Sequence, residues 1–360
     1  MNVAHFISPY LPQTETFVYN YIRSMRGVRS YIYTYECENL DQFELDNLNK
    51  VSGYSLPWIL YHASQRIFRN GKIANKYLFD RNNVRSIRSS LRGHGVRLIH
   101  SHFGHMGCYN VNLKQRMKLP MVTTFYGWDM SFLPLVGWGV RYVPLFSVGD
   151  CFVVEGSQMK RRLAELGCPE EKIRIIHIGA DLNRFEYRER RIEDRDKVIM
   201  LFCGRLIEKK GLEYALKALA LIKDQRKDVE LRVIGDGPLK DHVMGLVRAL
   251  KLGDVVKLLG YLSYAETKKE MDNAHILVQP SVTAENGETE GGAPTVLIEA
   301  QASGMPILAS SHADIPEVVL DGRSGLLSEE RDVDTLGKTW PFYLIIRRNG
   351  RAWVWKEESM

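Results

Sequence analysis

The sequence predicts an α/β protein of two similar halves, each a parallel sheet with helices on both faces. Three observations carry this: β-branched runs alternate with helical patterns along the chain, a charged stretch lies midway, and 360 residues suffice for two full cores. The runs are "VAHFI", "VRLIH", "MVTTF", "CFVVE" and "IRIIHIG", then "VIMLFCG", "LRVIG", "VVKLLG", "ILVQP" and "PILAS". Between the two sets, "FEYRERRIEDRDK", residues 185–197, is too polar for a core and marks the boundary region. The expected domains are therefore 1–184 and 198–330, followed by an atypical tail over 331–360. Ligands of parallel sheets bind at the carboxyl ends of strands, so the chemistry is sought in the loops that follow them.

Composition is that of an ordinary globular protein, with a net charge of +6 that permits attraction to phosphate-bearing ligands or an anionic lipid layer. Nothing in it points to nucleic acid as a partner. No apolar stretch approaches the roughly 20 residues needed to cross a bilayer. The start "MNVAHFISPY" has neither a basic leader nor a cleavage-like site, which predicts a cytoplasmic location. Cys37, Cys108, Cys151, Cys168 and Cys203 are scattered without metal-ligand spacing, so neither zinc nor disulfides are expected.

Taken along the chain, the first distinctive segment is Arg66 to Arg97, with nine basic residues against one acid, Asp80. Arg81, Arg85, Arg88 and Arg92 repeat at helical spacing, and Trp58, Tyr61, Phe68, Tyr77 and Phe79 lie nearby. Such a face suits an anionic membrane surface; a solvated helix face is the alternative. In "LFCGRLIEKKGLEYALKAL", Gly204 allows a sharp exit from a strand, and Arg205 and Lys210 lie on the loop before a helix that begins near Leu212. Arg grips phosphate oxygens bidentately and Lys adds a point charge, which suits a diphosphate. "LRVIGDGPLKD" fails the G-x-G-x-x-G dinucleotide pattern because Lys240 stands where the third glycine belongs. Gly235 and Gly237 then read as a tight strand-to-helix turn.

In "ENGETEGGAPTVLIEAQASGMP", Pro294 suits a helix start and Gly304 with Pro306 its end, predicting a helix from about Thr295 to Ser303. Gly291 and Gly292 precede it and let backbone N–H groups approach an anion at the helix N-terminus. Glu299, just over one turn inside, is placed to accept two ribose hydroxyls. A sugar nucleotide fits both features; a solvated acidic loop before a structural helix is the other reading of this segment alone.

Together these motifs resemble the retaining glycosyltransferase family 4, with its GT-B architecture of two Rossmann-like domains facing across a cleft. The likeness rests on "GRLIEKKG" at 204–211, "IGDGP" at 234–238, "EGGAPTVLIEAQASGMPILAS" at 290–310 and "IPEVVLDGRSGLL" at 315–327. It extends through "IHSHFG" at 99–104, "TFYGWD" at 124–129 and "IGADLNRF" at 178–185. "TETF" at 14–17 is similar to a bacterial exopolysaccharide subgroup of the colanic-acid type.

The resemblance implies a glycosyltransferase that moves a sugar, with retention, from a UDP- or GDP-sugar to a polysaccharide or lipid-linked oligosaccharide acceptor. It would work in cell-surface polysaccharide synthesis, cytoplasmic or peripheral at the inner face of the membrane. Arg205 and Lys210 would neutralise the diphosphate, and Glu299 would hold the ribose. Glu290 would position the transferred sugar with the Gly291 and Gly292 amides beside Ala293, and His102 would bond the donor sugar. Thr14, Glu15, Tyr126 and Asp129 would line the cleft. Glu290 and Glu299 have eight residues between them, one more than is usual, which leaves Glu288 as a rival to Glu290. The usual "HG-x-D" is here Tyr126-Gly127-Trp128-Asp129, so no imidazole role carries over to Tyr126.

No Asp-x-Asp metal motif stands in a suitable loop, and no obligatory metal or other cofactor is expected. Retaining hydrolases use two carboxyls about 5 Å apart and need no phosphate-binding cations. Arg205 and Lys210 therefore favour transfer. The alternatives are a sugar-nucleotide epimerase on the same scaffold and a catalytically impaired nucleotide-binding homologue. Beyond about residue 330 the resemblance stops. "GKTWPFYLIIRRNGRAWVWKEESM" interrupts a helix at Pro341 and has a hairpin-like Asn-Gly turn, and it holds Trp340, Trp353 and Trp355. It reads as a truncated or frameshifted tail; a divergent but functional C-terminus is the alternative.

Overall fold

The computed structural model describes residues 1–11, 16–40, 43, 47–50, 81–190, 197–225 and 228–338. Thr14, Glu15, residues 66–80 of the basic segment and the tail from 339 onward lie outside the described residues. The chain divides into two compact units, Met1–Ile178 and Gly179–Met360.

The first unit holds seven strands: β1 (Asn2–Phe6), β2 (Arg29–Thr34), β3 (Leu48–Lys50), β4 (Leu98–His102), β5 (Met121–Thr124), β6 (Cys151–Val154) and β7 (Ile173–Ile175). They form one sheet in the order β3-β2-β1-β4-β5-β6-β7, every pair parallel. The second unit holds β8 (Val198–Cys203), β9 (Val229–Ile234), β10 (Val256–Gly260), β11 (Ile276–Gln279), β12 (Ile307–Ser310) and β13 (Gly325–Ser328). Their order, β10-β9-β8-β11-β12-β13, repeats the same winding, again all parallel. All ten strands expected from the sequence are present. β2, β3 and β13 are additional: "RSYIYT" opens on two polar residues, and "LNK" and "GLLS" are too short to show a period.

Core clusters lie on both faces of the second sheet, which is why central strands such as β8, "VIMLFC", read as unbroken apolar runs. Along β8 the alternation is complete: Val198, Met200 and Phe202 join one core cluster, while Leu201 packs in the other with Ile199 and Cys203 beside it. Two residues of the charged stretch 185–197 are also buried in the second unit. Phe185 packs with Leu277 and Leu297 in one cluster. Arg190 donates to the carbonyls of Met271 (2.9 Å), Asp272 (2.6 Å), Ala274 (2.9 Å) and Ser303 (3.1 Å). A guanidinium offers five donors in a fixed fork, so one buried side chain satisfies a whole set of helix-end carbonyls. Among the described residues, no helix is long and apolar enough to cross a membrane.

Candidate functional site

In each sheet the winding reverses once, between β1 and β4 and between β8 and β11, and a crevice opens at such a reversal beyond the carboxyl ends. In the first unit the reversal is lined by histidines. His5 on β1 stands opposite His100 on β4, and His102 lies two residues on, pointing to the same face. His5 Nδ1 lies 3.1 Å from His102 Nε2, and His102 Nδ1 lies 2.9 Å from the Tyr126 hydroxyl. His100 Nε2 meets the Thr124 hydroxyl at 2.8 Å.

Burial pushes all three imidazoles down: His100 to about 4, and His5 and His102 well below the usual range, with help from their neighbours' charge. They are neutral at physiological pH. Ring nitrogens of this trio lie within 4.8 Å of one another. Zinc at about 2.0 to 2.1 Å from each ligand needs nitrogens about 3.4 Å apart. The His5–His102 pair meets that spacing, but both nitrogens of His102 are already engaged: His5, His102 and Tyr126 form a hydrogen-bonded chain, and His100 bonds Thr124 beside it.

Two other residues that the sequence reading singled out, Tyr126 and Asp129, lie beside the histidine trio. Tyr126 is buried against Phe17 and Phe103. Asp129 has no exposed surface. Its carboxylate accepts the Tyr126 N–H at 2.6 Å and the Gly104 N–H, capping the helix Gly127–Leu135 and tying it to the loop after β4.

The second unit brings the phosphate and sugar motifs together. Gly204 leaves β8, residues Glu208–Lys210 form a single 3-10 turn, and the helix Leu212–Ile222 follows. The loops after β8 and β11 touch at Gly211, whose φ is +67°; a Cβ there would sit 1.7 Å from the Pro280 carbonyl oxygen. Only glycine permits that approach. Gly235 similarly lies against the Gly204 carbonyl, where a Cβ would come within 1.9 Å, and so fixes the strand-to-helix turn.

The approach sets Lys210 Nζ 2.8 Å from Glu290 Oε2, while the Ser281 hydroxyl donates to Glu290 Oε1 at 2.7 Å. Burial alone would raise the Glu290 carboxyl; Lys210, Lys209 and the Ser281 hydroxyl hold it below the usual range. The rival Glu288 pairs instead with Lys209, also at 2.8 Å. Arg205 is exposed at the mouth of the same loop. The Gly291 N–H donates to the Thr289 hydroxyl at 3.1 Å, Gly292 is buried and Ala293 packs on the core. The helix runs Thr295–Ala302, with Pro294 at its N-cap, and carries Glu299. Burial pushes the Glu299 carboxyl up to about 7.

Lys209, Ser281, His312 and Glu330 escaped the sequence reading. Lys209 is 4% exposed and donates to the Thr289 carbonyl at 2.9 Å. His312 accepts the Glu290 N–H on Nε2 at 3.0 Å, and its Nδ1 meets Glu330 Oε1 at 2.6 Å. His312 follows β12 at its carboxyl end, the position that marks site residues in such sheets, and that was the available signal.

A model of Glycosyltransferase Family 4 matches residues 14–184, and a model of Glycosyl transferases group 1 matches residues 183–341. The chain belongs to glycosyltransferase family 4. Among its relatives is a Salmonella typhimurium protein provisionally named colanic acid biosynthesis glycosyltransferase WcaL, 33% identical over 66% of this chain. The amylovoran biosynthesis glycosyltransferase AmsK of Erwinia amylovora is 33% identical over 65% of it. The chain spans 58% of the length of each. Of solved structures, Anabaena HepE in complex with UDP-glucose superposes with a TM-score of 0.72 at 16% identity, covering 98% of this chain and 92% of that one. Sucrose-phosphate synthase of Thermosynechococcus elongatus gives 0.68 at 19% identity, over 98% and 92%. At such identities the likeness shows the shared GT-B fold of two Rossmann-like domains.

Proposed function

We propose that this family 4 chain transfers a sugar from a nucleoside-diphosphate donor to a polysaccharide or lipid-linked oligosaccharide acceptor in cell-surface polysaccharide synthesis. The observation that carries the reading is the buried Lys210–Glu290 pair at the β8/β11 reversal, with Arg205 exposed at its mouth. As the glycosidic bond to phosphate breaks, negative charge grows on the leaving diphosphate. Fixed cations aimed at that charge lower the barrier without reorganisation during the reaction. Glu290 keeps Lys210 in place and, through its own oxygens, positions the sugar. Glu299 meets the ribose hydroxyls.

The donor is a UDP- or GDP-sugar, a reading supported by the UDP-glucose named in the HepE complex and by the exopolysaccharide names of the relatives. Transfer proceeds with retention, the acceptor attacking on the face the nucleotide leaves, and Arg205 and Lys210 meet the diphosphate charge without an obligatory metal. His102 contacts the donor sugar after one ring nitrogen exchanges its present partner. The test is a thermal-shift screen of nucleotide sugars, since a ligand of the folded state raises its apparent stability, followed by an assay of nucleotide release with acceptor. Release without acceptor dependence points to hydrolysis, and a changed donor without release points to epimerisation. Stabilisation by no nucleotide sugar defeats the proposal.

The protein also docks on an anionic membrane surface, which would bring it to a lipid-linked acceptor at the inner face of the cell membrane. Arg85 and Arg92 are exposed on the helix Arg81–Gly93, and each cation near such a surface contributes on the order of 1 kcal/mol. Co-sedimentation with anionic vesicles in low salt checks this, and pelleting no greater than with neutral vesicles removes it.

A further inference from the structure

One peptide unit beneath the proposed sugar site is gripped from both sides. The Thr289 carbonyl accepts from Lys209 Nζ at 2.9 Å, and the N–H of the same peptide, that of Glu290, donates to His312 Nε2 at 3.0 Å. The two gripping side chains are buried, Lys209 from the loop after β8 and His312 from the loop after β12. A peptide is planar, with its C=O and N–H pointing in opposite directions. Holding both ends therefore fixes its plane, and with it the direction in which the next Cα, that of Glu290, launches its side chain.

The grip depends on a particular tautomer. Because Nε2 accepts, the ring proton of His312 must lie on Nδ1, where it donates to Glu330 Oε1 at 2.6 Å. Glu330 is held as a pure acceptor: its oxygens also receive the Thr283 N–H at 2.7 Å, the Thr283 hydroxyl at 3.1 Å and Arg331 at 3.4 Å. Lys209 is anchored in turn by Glu288 at 2.8 Å. The Glu288–Lys209 and Glu330–His312 pairs thus act from opposite sides on one backbone link.

We infer that Lys209 and the Glu330-oriented His312 are positioning residues, forming a buried clamp on the Thr289–Glu290 peptide that aims the Glu290 carboxylate at the transferred sugar. The inference rests on the transfer reading above. It adds that rate depends on two side chains that touch neither nucleotide nor sugar, and that the acidic loop is rigid at the residue that matters. Groups that orient a reacting side chain from behind are worth about 10- to 100-fold when removed.

The test has two independent arms on the full chain. Nitrogen-15 NMR of histidine-labelled protein, with the His312 signals identified by their loss in His312→Gln, reads the tautomer directly. Nδ1 protonation is expected in the wild type and is lost or exchange-broadened in Glu330→Ala; Nε2 protonation in the wild type overturns the clamp whatever the activity. In the kinetic arm, His312→Leu and Lys209→Met lower kcat about 10- to 100-fold. Stabilisation by UDP or GDP, whichever protects the wild type, is unchanged. His312→Gln keeps an acceptor facing the Glu290 N–H and recovers most of the rate, and the double variant is little worse than the poorer single one. Equal impairment of His312→Leu and His312→Gln, or wild-type kcat in His312→Leu, sinks the inference. Should Lys209→Met fail to fold, the His312 variants and the tautomer still decide it. A wild type with Nδ1-protonated His312 that moves no sugar defeats the transfer reading and leaves the clamp geometry standing.

Discussion

Lys210 Nζ and Glu290 Oε2 lie 2.8 Å apart with both side chains largely buried, so each charge is held in the interior by the other. The pair is separated by eighty positions in sequence and joined only because the loops after β8 and β11 meet at Gly211. Breaking a buried pair from one side leaves an uncompensated charge, which costs more than the pair contributes.

Lys210→Ala is therefore expected to lower transfer at least about a hundredfold and also to reduce stability, by up to about 3 to 5 kcal/mol, because Glu290 is stranded. Lys209 nearby softens that loss. Combining Lys210→Met with Glu290→Gln should restore the urea midpoint but not the activity. A double variant as active as the parent would show that the pair has no part in catalysis.

Glu299 supplies a pH signature. Its folded-state carboxyl is raised from 4.5 to about 7 by burial, so the native state holds this proton more tightly than the unfolded chain. The contribution is therefore most favourable below pH 4.5, declines as pH rises toward about 7, and is flat above. Glu299→Gln should lack this decline in urea titrations at pH 5 and pH 8. Nucleotide affinity of the wild type should rise through pH 7 as the carboxylate forms, whereas Glu299→Gln binds weakly with no such rise.

The buried histidines act in the opposite sense. His5, His100 and His102 are held neutral with lowered values, so the unfolded state binds their protons first. The stability they allow is fully present above pH 6.5 and is lost as pH falls toward about 4, the value for His100. Acid unfolding followed by circular dichroism should begin in this window and shift to lower pH in His100→Gln. No shift would place the acid-sensitive groups elsewhere.

Arg190 provides a stability test remote from the site. Arg190→Ala removes the side-chain donors to the carbonyls of Met271, Asp272, Ala274 and Ser303, of which Met271 and Ser303 keep a backbone N–H partner, and the loss should reach about 3 kcal/mol in urea unfolding. Arg190→Lys should recover little of it, because an ammonium cannot reproduce the planar fork. Full stability in the lysine variant would mean that the fork geometry is irrelevant.

Ten strands, the parallel α/β class and the helix after Pro294 were legible in the sequence, as were the loops and helix that hold Arg205, Lys210, Glu290 and Glu299. Each is written in local periodicity, in turn residues or in a compact motif. β2, β3 and β13 were not, since their runs are polar at one end or only three or four residues long. The burial of Arg190 was not legible either: five charged neighbours surround it in "YRERRIED", and only its position against helix ends shows it to be inside.

By itself, then, the sequence determined most of the segments that become strands and helices and which loops hold Arg205, Lys210 and Glu290, because those depend on residues within a few positions of one another. Tertiary structure decided the order of the strands, and with it the two reversals beside which the histidine trio and the Lys210–Glu290 pair stand. It also decided which of two adjacent lysines faces Glu290 and which grips the peptide behind it, and it brought His312 and Glu330 beneath that peptide. Lys209, Thr289, His312 and Glu330 come from four separate loops or strand ends, and a hydrogen bond about 3 Å long between residues so far apart in the chain has no periodicity to betray it. Only the parallel winding of β8, β11, β12 and β13, with every carboxyl end on one side, makes them neighbours.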